Sequence, residues 1–198
     1  MEYSLQAFDI GNLFHDALEN FSKRLHNSEY DWSNIPEDLQ DEWAEESVSL
    51  AAEDTKNAIF SSSRRHEYIV NRAKRITSRT IWALRQQITK GDFTPSGYEV
   101  YFSGEEGLES LDILISEESS VKLHGRIDRI DVYEENDKLM VRVIDYKSGR
   151  TTFDLLSIYH GLQLQLAIYL NAAIEYLKKT NPDKEIIPAG ILYYHIDD

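Results

Sequence analysis

The segment HGRIDRIDVYEENDKLMVRVIDYKSG, residues 124–149, contains two runs of strand-forming residues on either side of a polar turn. Side chains alternate along a strand, so Asp145 and Lys147 of the second run share one face and Tyr146 points to the other. The first run carries Asp128 within the same kind of apolar alternation. The segment therefore predicts two antiparallel strands whose apolar face ends in charged side chains, as strand ends do where α/β proteins build sites.

The predicted turn decides how close the two aspartates come. With a turn at Glu134–Asp137, Tyr133 pairs with about Lys138. Asp128 then lies opposite Val143 and diagonal to Asp145, within reach of a shared ion. Neighbouring carboxylates repel unless a hard cation binds between them, and oxygen ligands favour Mg²⁺ or Mn²⁺. Lys147 beside them can hold a water or stabilise charge on a phosphoryl oxygen. The pattern predicts a metal-assisted phosphodiester hydrolase, and the structural alternative is a strand-end salt bridge between Asp145 and Lys147.

The remaining patterns place this segment within one α/β domain, residues 1–198. Residues 1–92 are predicted to be mainly helical, and residues 93–198 to form a β-meander, a helix and a strand that carry the site. The sheet is expected to be mixed and covered by the helical N-terminal part. The predicted helices are 11–25, 36–59, 61–91 and 155–179, and the predicted strands are 98–103, 111–115, 121–133, 139–145 and 190–196.

The composition is that of an ordinary globular domain, with 198 residues, 41% of them apolar and 28% charged. No apolar run approaches the roughly 20 residues that a membrane helix needs, so no membrane partner is expected. The N-terminal residues lack the pattern of a signal peptide, and we expect a cytoplasmic location. The absence of cysteine excludes disulfides and thiolate metal sites within these residues.

The charges are strongly segregated, although the formal net charge is −14. All the charged residues of segment 29–54 are acidic, whereas nearly all those of segment 61–90 are basic. The net charge argues against a nucleic-acid binder, because phosphate contacts need Lys and Arg. Two interpretations remain open for the segments: solvated helix faces that attract each other, or a basic helix that lines the path of a polyanion.

Four short motifs, in order, resemble those of the PD-(D/E)XK nucleases, and within them the RecB-like branch. Gly11-Asn12-Leu13-Phe14-His15 resembles the G-x-x-x-H of its first helix, and Gly125-Arg126-Ile127-Asp128 resembles its G-x-x-D. Asp145-Tyr146-Lys147 has its D-Y-K form, and Gln165-Leu166-Ala167-Ile168-Tyr169 resembles its Q-x-x-x-Y helix motif. The resemblance covers about residues 11–170. It implies a restriction-endonuclease-like fold, with the mixed sheet flanked by helices.

The resemblance also implies a role for each motif residue. His15, Asp128 and Asp145 would bind Mg²⁺ or Mn²⁺ together with the backbone carbonyl of Tyr146, and Lys147 would be catalytic with the two aspartates. Gln165 and Tyr169 would support the site or touch DNA. Without the resemblance, the favoured interpretation of His15, which lies near Leu18, is a hydrogen-bonded histidine at the edge of a helix. Gln165 and Tyr169 are then polar groups of a core helix, and Glu99 receives no assigned role.

FTPSGYEVYF, Phe93–Phe102, and the final ILYYHIDD resemble more narrowly the nuclease domains of the AddB/RexB type in bacterial helicase–nucleases. That resemblance implies a Mg²⁺-dependent deoxyribonuclease of the exonuclease type, acting in double-strand break repair and recombination. Its partners would be DNA, most readily a single-stranded end, and the helicase subunit of an AddAB/RexAB-type complex. Such domains hold an iron–sulfur cluster on four cysteines, and this chain has none. We therefore expect a fragment of a parent that carries the cluster. The alternative is a relative that has no cluster and is naturally short.

One alternative belongs to a different functional class. The same fold would then serve as a catalytically silent scaffold that binds DNA or docks a subunit, and the acidic segment 29–54 would be an interface. The presence of all four motifs argues against a silent site. A metal titration separates the two hypotheses.

Overall fold

The computed structural model describes residues 7–54, 64–102, 111–116, 119–148, 154, 156–157, 160 and 164–196. These residues form four long helices and six strands, so the predicted α/β class is confirmed. The helices are α1 Ala7–His26, α2 Glu37–Asp54, α3 Arg64–Lys90 and α4 Gln165–Thr180. The strands are β1 Thr94–Phe102, β2 Leu111–Ser116, β3 Ser119–Leu123, β4 Gly125–Glu135, β5 Lys138–Lys147 and β6 Glu185–His195.

The chain divides into two compact units. The first contains α1, α2 and α3 together with the last residue of β5, Lys147, and the last residue of β6, His195. The second contains the rest of the strands and α4. In the described residues, no helix combines the length and hydropathy required to cross a bilayer.

Apolar side chains at helical spacing hold the first unit together. The three helices pack mutually through residues that recur every three or four positions. This spacing predicted α1 and α3, whereas Pro36 predicted α2. Pro36 directly precedes the first turn of α2, where proline costs no hydrogen bond. The buried residues of this core include Leu13, Ala17, Phe21, Ala44, Val48, Ile76, Ile81 and Leu84.

The second unit is built on a mixed four-stranded sheet with the strand order β1-β4-β5-β6. β4 lies antiparallel to both β1 and β5. β6 runs parallel to β5, because Glu185 N–H bonds the carbonyl of Asp137 at one end, at 2.8 Å, and Ile196 N–H bonds the carbonyl of Lys147 at the other, at 2.9 Å. Residues of α4 complete the core of this unit, which comprises Phe102, Ile127, Ile130, Leu139, Val141, Val143, Leu166, Ala172, Ala173 and Leu177.

The predicted register between β4 and β5 was wrong by two residues. Tyr133 lies opposite Met140 rather than Lys138, because the turn consists of Asn136 and Asp137 alone. Asn136 has a φ of 54°, a left-handed conformation that asparagine tolerates and that tight hairpin turns require. An error of two residues keeps every side chain on its predicted face.

The single strand predicted for residues 121–133 was also wrong. β3 ends at Leu123 and pairs with β2 in a separate two-stranded sheet. β4 begins after His124, where Gly125 lies opposite Phe102 of β1. The alternation of apolar residues continues from β3 into β4, although β3 pairs with β2 and β4 pairs with β1. The sequence pattern therefore does not reveal that one strand ends and another begins here. Within the predicted helix 155–179, residues 156–157 are helical and α4 begins at Gln165. Most of residues 155–163 lie outside the described part of the chain, as do residues 55–59 of the second predicted helix.

Candidate active site

Two buried aspartates lie side by side on β4 and β5. Continuing the register one pair beyond Arg129 and Ile144 puts Asp128 opposite Asp145, and opposite residues of antiparallel strands share a face. The two aspartates are only 5% and 2% exposed. A carboxylate oxygen of Asp128 accepts the backbone N–H of Tyr146 at 2.6 Å. The hydrogen bond fixes the Asp128 carboxylate at the end of β5, where Asp145 and Lys147 lie.

A third buried carboxylate belongs to Glu99, on the other neighbour of β4. The β1–β4 register places Glu99 opposite Asp128, and their carboxylate oxygens lie within 4.8 Å of each other. Glu99 is 6% exposed and has a φ of 46°, an uncommon conformation for a residue with a side chain. Such conformations persist where the surroundings impose them and cluster at functional sites. Sequence reasoning assigned Glu99 no role, because only the register brings it to Asp128.

Arg126 is the cation of this group and was also missed as a functional candidate. Its Nε lies 2.6 Å from a carboxylate oxygen of Glu99. Its guanidinium donates to the hydroxyl of Tyr101 at 3.4 Å and lies 5.9 Å from the centre of that ring. Burial works against its charge, yet the pKa of Arg126 is raised because Tyr101 and Glu99 stabilise the cation. The alternation of β4 is the signal for it, since Arg126 and Asp128 are two residues apart.

The opposite face of β4 carries a buried ionic network. Arg129 and Asp131 are both fully buried, and the Nε of Arg129 lies 2.7 Å from Asp131. Arg142, directly opposite Asp131 on β5, donates two hydrogen bonds to the same carboxylate at 3.0 and 2.8 Å. One carboxylate thus joins two guanidiniums. Removal from water opposes the charge of Arg129, but Tyr146 and Asp131 hold the pKa of its guanidinium above the ordinary value.

Tyr146 connects the two faces of the sheet. Its hydroxyl accepts a hydrogen bond from Arg129 at 3.3 Å, and its ring meets Tyr194 edge to face with ring centres 5.8 Å apart. Burial raises the pKa of the Tyr146 phenol to about 12, so the group is neutral at physiological pH. Its backbone N–H meanwhile bonds Asp128 on the other face. The buried side chain therefore anchors the backbone that orients Asp128.

The Gln165–Tyr169 pair lies at the start of α4 and packs against the glycine that opens β4. The Gln165 amide donates to the Tyr169 hydroxyl at 2.8 Å. The ring of Tyr169 meets Phe102 edge to face, with ring centres 5.7 Å apart. A Cβ at Gly125 would lie 2.4 Å from Phe102 and 3.2 Å from Tyr169. The glycine of G-x-x-D and the tyrosine of Q-x-x-x-Y thus belong to one packed group.

The two remaining predicted site residues belong to the first unit. His15 lies on α1 and is half-buried. Lys147 ends β5, two residues after Asp145, and its backbone carbonyl accepts the N–H of Ile196. Within the same unit α1 approaches the end of β5, since a Cβ at Gly11 would lie 3.0 Å from the hydroxyl oxygen of Ser148. The glycine of the G-x-x-x-H motif therefore lies beside the chain that follows D-Y-K.

The donor set of the second unit fits a hard divalent cation. Asp128, Asp145 and Glu99 supply only carboxylate oxygens, the ligands that Mg²⁺ and Mn²⁺ prefer. All three are buried, and Asp128 and Glu99 are within reach of one ion. Burial of like charges at this density is costly, and a cation offsets that cost. Arg126 forms an ion pair with one of the three carboxylates, that of Glu99.

Comparison with known proteins agrees with this geometry. The family model of the PD-(D/E)XK nuclease superfamily matches residues 1–198. Three relatives are each named as a subunit of an ATP-dependent helicase/deoxyribonuclease. The protein of Lachnoclostridium phytofermentans is 46% identical over 197 residues, that of Alkaliphilus metalliredigens 39% over 198, and that of Clostridium tetani 39% over 196.

The matches cover 99–100% of this chain but only 16–17% of each relative. The chain therefore spans about a sixth of the length of these relatives, and its similarity to them extends over its whole sequence. The four helices and the mixed four-stranded sheet of the described residues agree with the α/β, restriction-endonuclease-like fold of the matched family. Because this family model matches the chain over its whole length, the chain belongs to the PD-(D/E)XK nuclease superfamily.

Proposed function

We propose that this chain is a metal-dependent deoxyribonuclease that hydrolyses DNA phosphodiester bonds. The observation that carries the proposal is the buried pair Asp128 and Asp145 at the end of β5, with Lys147 following on the same strand face. Membership of a nuclease superfamily supports the reaction class. The ligands would be Asp128, Asp145, the backbone carbonyl of Tyr146 and His15, with Mg²⁺ or Mn²⁺ as the ion.

The protein side of the mechanism follows from the charges. A cation held by these ligands would supply the Lewis acidity that activates water for the attack on phosphorus. Lys147 stabilises the negative charge that grows on the phosphoryl oxygens during attack. Glu99 and Arg126 form an ion pair beside Asp128 and restrict its carboxylate. Gln165 and Tyr169 support the start of β4 through Gly125, or contact the substrate.

The wider role that we propose rests on the names of the relatives. They are subunits of ATP-dependent helicase/deoxyribonucleases. By analogy, this chain would act as the nuclease domain of an AddAB/RexAB-type complex, as an exonuclease on a single-stranded end. Its partners would be DNA and a helicase subunit, its process double-strand break repair and recombination, and its location the cytoplasm. An iron–sulfur cluster would belong to the parent protein.

The test is the degradation of linear single-stranded and duplex DNA in Mg²⁺, Mn²⁺ or EDTA. Asp128→Asn and Asp145→Asn preserve the size of the side chain but remove its charge. Each is expected to lower the rate of DNA cleavage at least 100-fold, because the proposed metal site loses a negatively charged ligand. Asp183→Asn, in the exposed turn before β6, is the matched control and retains activity. Circular dichroism verifies that each variant is folded.

A calorimetric titration with Mn²⁺ separates the outcomes. Metal binding that Asp128→Asn abolishes, without DNA cleavage, would mean that the site is formed but needs a partner or the cluster of the parent. Neither binding nor cleavage by the folded protein would contradict the proposal and favour the catalytically silent scaffold.

A further inference from the structure

The exposed face of α3 carries a continuous stripe of arginines with an aromatic residue at each end. Tyr68, Arg72, Arg75, Arg79 and Trp82 succeed one another at intervals of four and three residues, and all five are exposed. At 100° per residue they fall within an arc of about 80°, and at 1.5 Å per residue they span about 21 Å. We refer to these five residues as the α3 stripe.

The stripe is unusual in both of its components. Tyr68 is 61% and Trp82 51% exposed, although rings of this size bury large apolar areas when a structure offers them cover. The three arginines are exposed cations in a chain of net charge −14. Glu67 is the one acidic residue of α3, and it lies outside the stripe. The buried side of the helix already supplies its packing, through Ala73, Ile76, Thr77, Thr80, Ile81 and Leu84.

The chemistry of the stripe fits single-stranded nucleic acid. Guanidiniums repeated every 4.5–6 Å, roughly, on one line neutralise successive charges of a polyanion, and they also stack on bases. Exposed tyrosine and tryptophan rings are the platforms on which unpaired bases stack. In a duplex the faces of the bases are stacked on neighbouring base pairs, so they are not available to stack on the two rings. An acidic protein segment would use the arginines but likewise leaves the rings without a stacking partner.

We propose that the α3 stripe binds single-stranded DNA, with Arg72, Arg75 and Arg79 on phosphates and Tyr68 and Trp82 stacked on bases. The proposal rests on the nuclease function above for the choice of DNA as the nucleic acid. It adds a binding surface within the first unit that is separate from the carboxylates. Binding to it requires no metal, and so the surface can be tested without hydrolysis.

The experiment measures the fluorescence anisotropy of labelled oligo(dT) and of a duplex of equal length, in EDTA, over a range of salt concentrations. The triple variant Arg72→Gln, Arg75→Gln, Arg79→Gln retains helix-forming residues. It is expected to weaken single-strand binding at least tenfold. It should also reduce the slope of log affinity against log salt by about 2, since each single-strand phosphate contact contributes about 0.7.

The matched control removes three positive charges elsewhere. Lys23, Lys138 and Lys178 are exposed and lie on α1, on β5 and on α4, so their triple change to Gln alters net charge by the same amount. This control is expected to change affinity less than threefold. It separates the loss of a specific contact from the general effect of a more negative protein.

The contribution of the aromatic residues of the stripe is tested separately, through variants of Trp82. Trp82→Ala should weaken single-strand binding about fivefold or more, as expected for the loss of one stacked base, and Trp82→Phe should restore most of it. Tyr176→Ala, at a position of α4 that is 41% exposed, controls for the removal of an exposed ring. Single-strand binding by the wild type should also quench the Trp82 fluorescence, and Trp82→Phe should lose that quenching.

Three results would overturn the proposal: an equal loss in the arginine and lysine triples, an unchanged salt slope in the arginine triple, or duplex binding as tight as that of the single strand. Capture of an acidic peptide in preference to oligo(dT) would assign the stripe to a protein partner instead. Because EDTA is present, none of these results depends on whether the carboxylate site cuts DNA.

Discussion

At the scale of single residues, Gly125 shows how one absent side chain permits two motifs to meet. It begins β4 opposite Phe102, and the Tyr169 ring packs against both. A residue with a Cβ would collide with ring atoms at 2.4 and 2.7 Å, well inside the closest approach of carbon atoms. Gly125 is therefore required by packing rather than by its backbone conformation.

Gly125→Ala is expected to destabilise the protein by about 1–3 kcal/mol, because the buried Phe102 ring must move to admit a methyl group. Gly190→Ala is the matched control, since its Cβ would lie 4.0 Å from the nearest atom, an ordinary contact. We expect the control to stay within about 1 kcal/mol of the wild type. Urea unfolding measures both, and equal destabilisation by the two variants would refute the packing argument.

The phenol of Tyr146 makes the stability of the protein depend on pH in the alkaline range. Its pKa is about 12 in the folded protein, owing to burial, against about 10 in the unfolded chain. Between these values the unfolded chain releases a proton that the folded protein keeps, so stability falls as pH rises. The contribution of the protonated phenol to the free energy of unfolding is complete below about pH 10. Near pH 12 it is about 2–3 kcal/mol smaller.

Tyr146→Phe removes that dependence. The free energy of unfolding of the wild type minus that of the variant should therefore decrease between pH 10 and pH 12, in EDTA, as measured by urea denaturation at each pH. Tyr176→Phe on α4 controls for the removal of an exposed phenol. A difference that is constant across this range would show that the folded protein does not retain the Tyr146 proton.

At the scale of elements, β4 separates two functions by its alternation. One face presents Asp128 toward Asp145 and Glu99, where negative charge accumulates. The other presents Arg129 and Asp131, where charges are paired and buried. Tyr146 of β5 joins them, with its side chain in the ionic network and its backbone on Asp128. The network thus supports the end of β5 from the opposite face of the sheet.

Asp131→Asn is expected to destabilise the protein by about 3–5 kcal/mol, because Arg129 would be left buried without its counterion. Glu175→Gln is the control: it breaks an exposed pair with Lys178 and should cost less than about 1 kcal/mol. Chemical denaturation of both variants checks the difference. A cost for Asp131→Asn as small as that of the control would show that the buried network contributes little.

At the scale of the whole molecule, the net charge of −14 is concentrated on α2. Four pairs of like charge lie at i, i+4 along this helix, and each destabilises it by a few tenths of a kcal/mol. The pairs are Glu37 with Asp41, Asp38 with Glu42, Asp41 with Glu45, and Glu42 with Glu46. The helix is held in spite of them by its buried side, which includes Ala44, Val48 and Ala51.

Asp41→Lys converts two of these repulsions into attractions. We expect it to stabilise the protein by about 1 kcal/mol at low salt, and by less at 1 M salt, where the Debye length is about 3 Å. Asp183→Lys, in the turn before β6, makes the same change in net charge away from α2 and is expected to stabilise less. Thermal unfolding at both salt concentrations checks this prediction, and equal gains would attribute the effect to net charge alone.

The sequence by itself determined the α/β class, the helices of the first unit and the motifs that identify the superfamily. Each of these depends on local chemistry: apolar periods of 3.6 and 2 set the elements, and four short motifs carry the family resemblance. The faces of β4 were also readable, because alternation survives an error of two residues in register. The roles of the motif residues, His15 and Lys147 among them, remain predictions.

Only the tertiary structure decided which strands are neighbours. Strand pairing places Glu99 and Arg126 beside Asp128. It also divides the predicted strand 121–133 at His124. Arg129 and Asp131 are buried together on the opposite face of β4. Strand pairing joins residues far apart in the chain, and its register here depended on a two-residue turn at Asn136 and Asp137. The free energy of such contacts depends on the side chains of both paired elements. The local sequence pattern of one element is therefore not enough to predict the pairing.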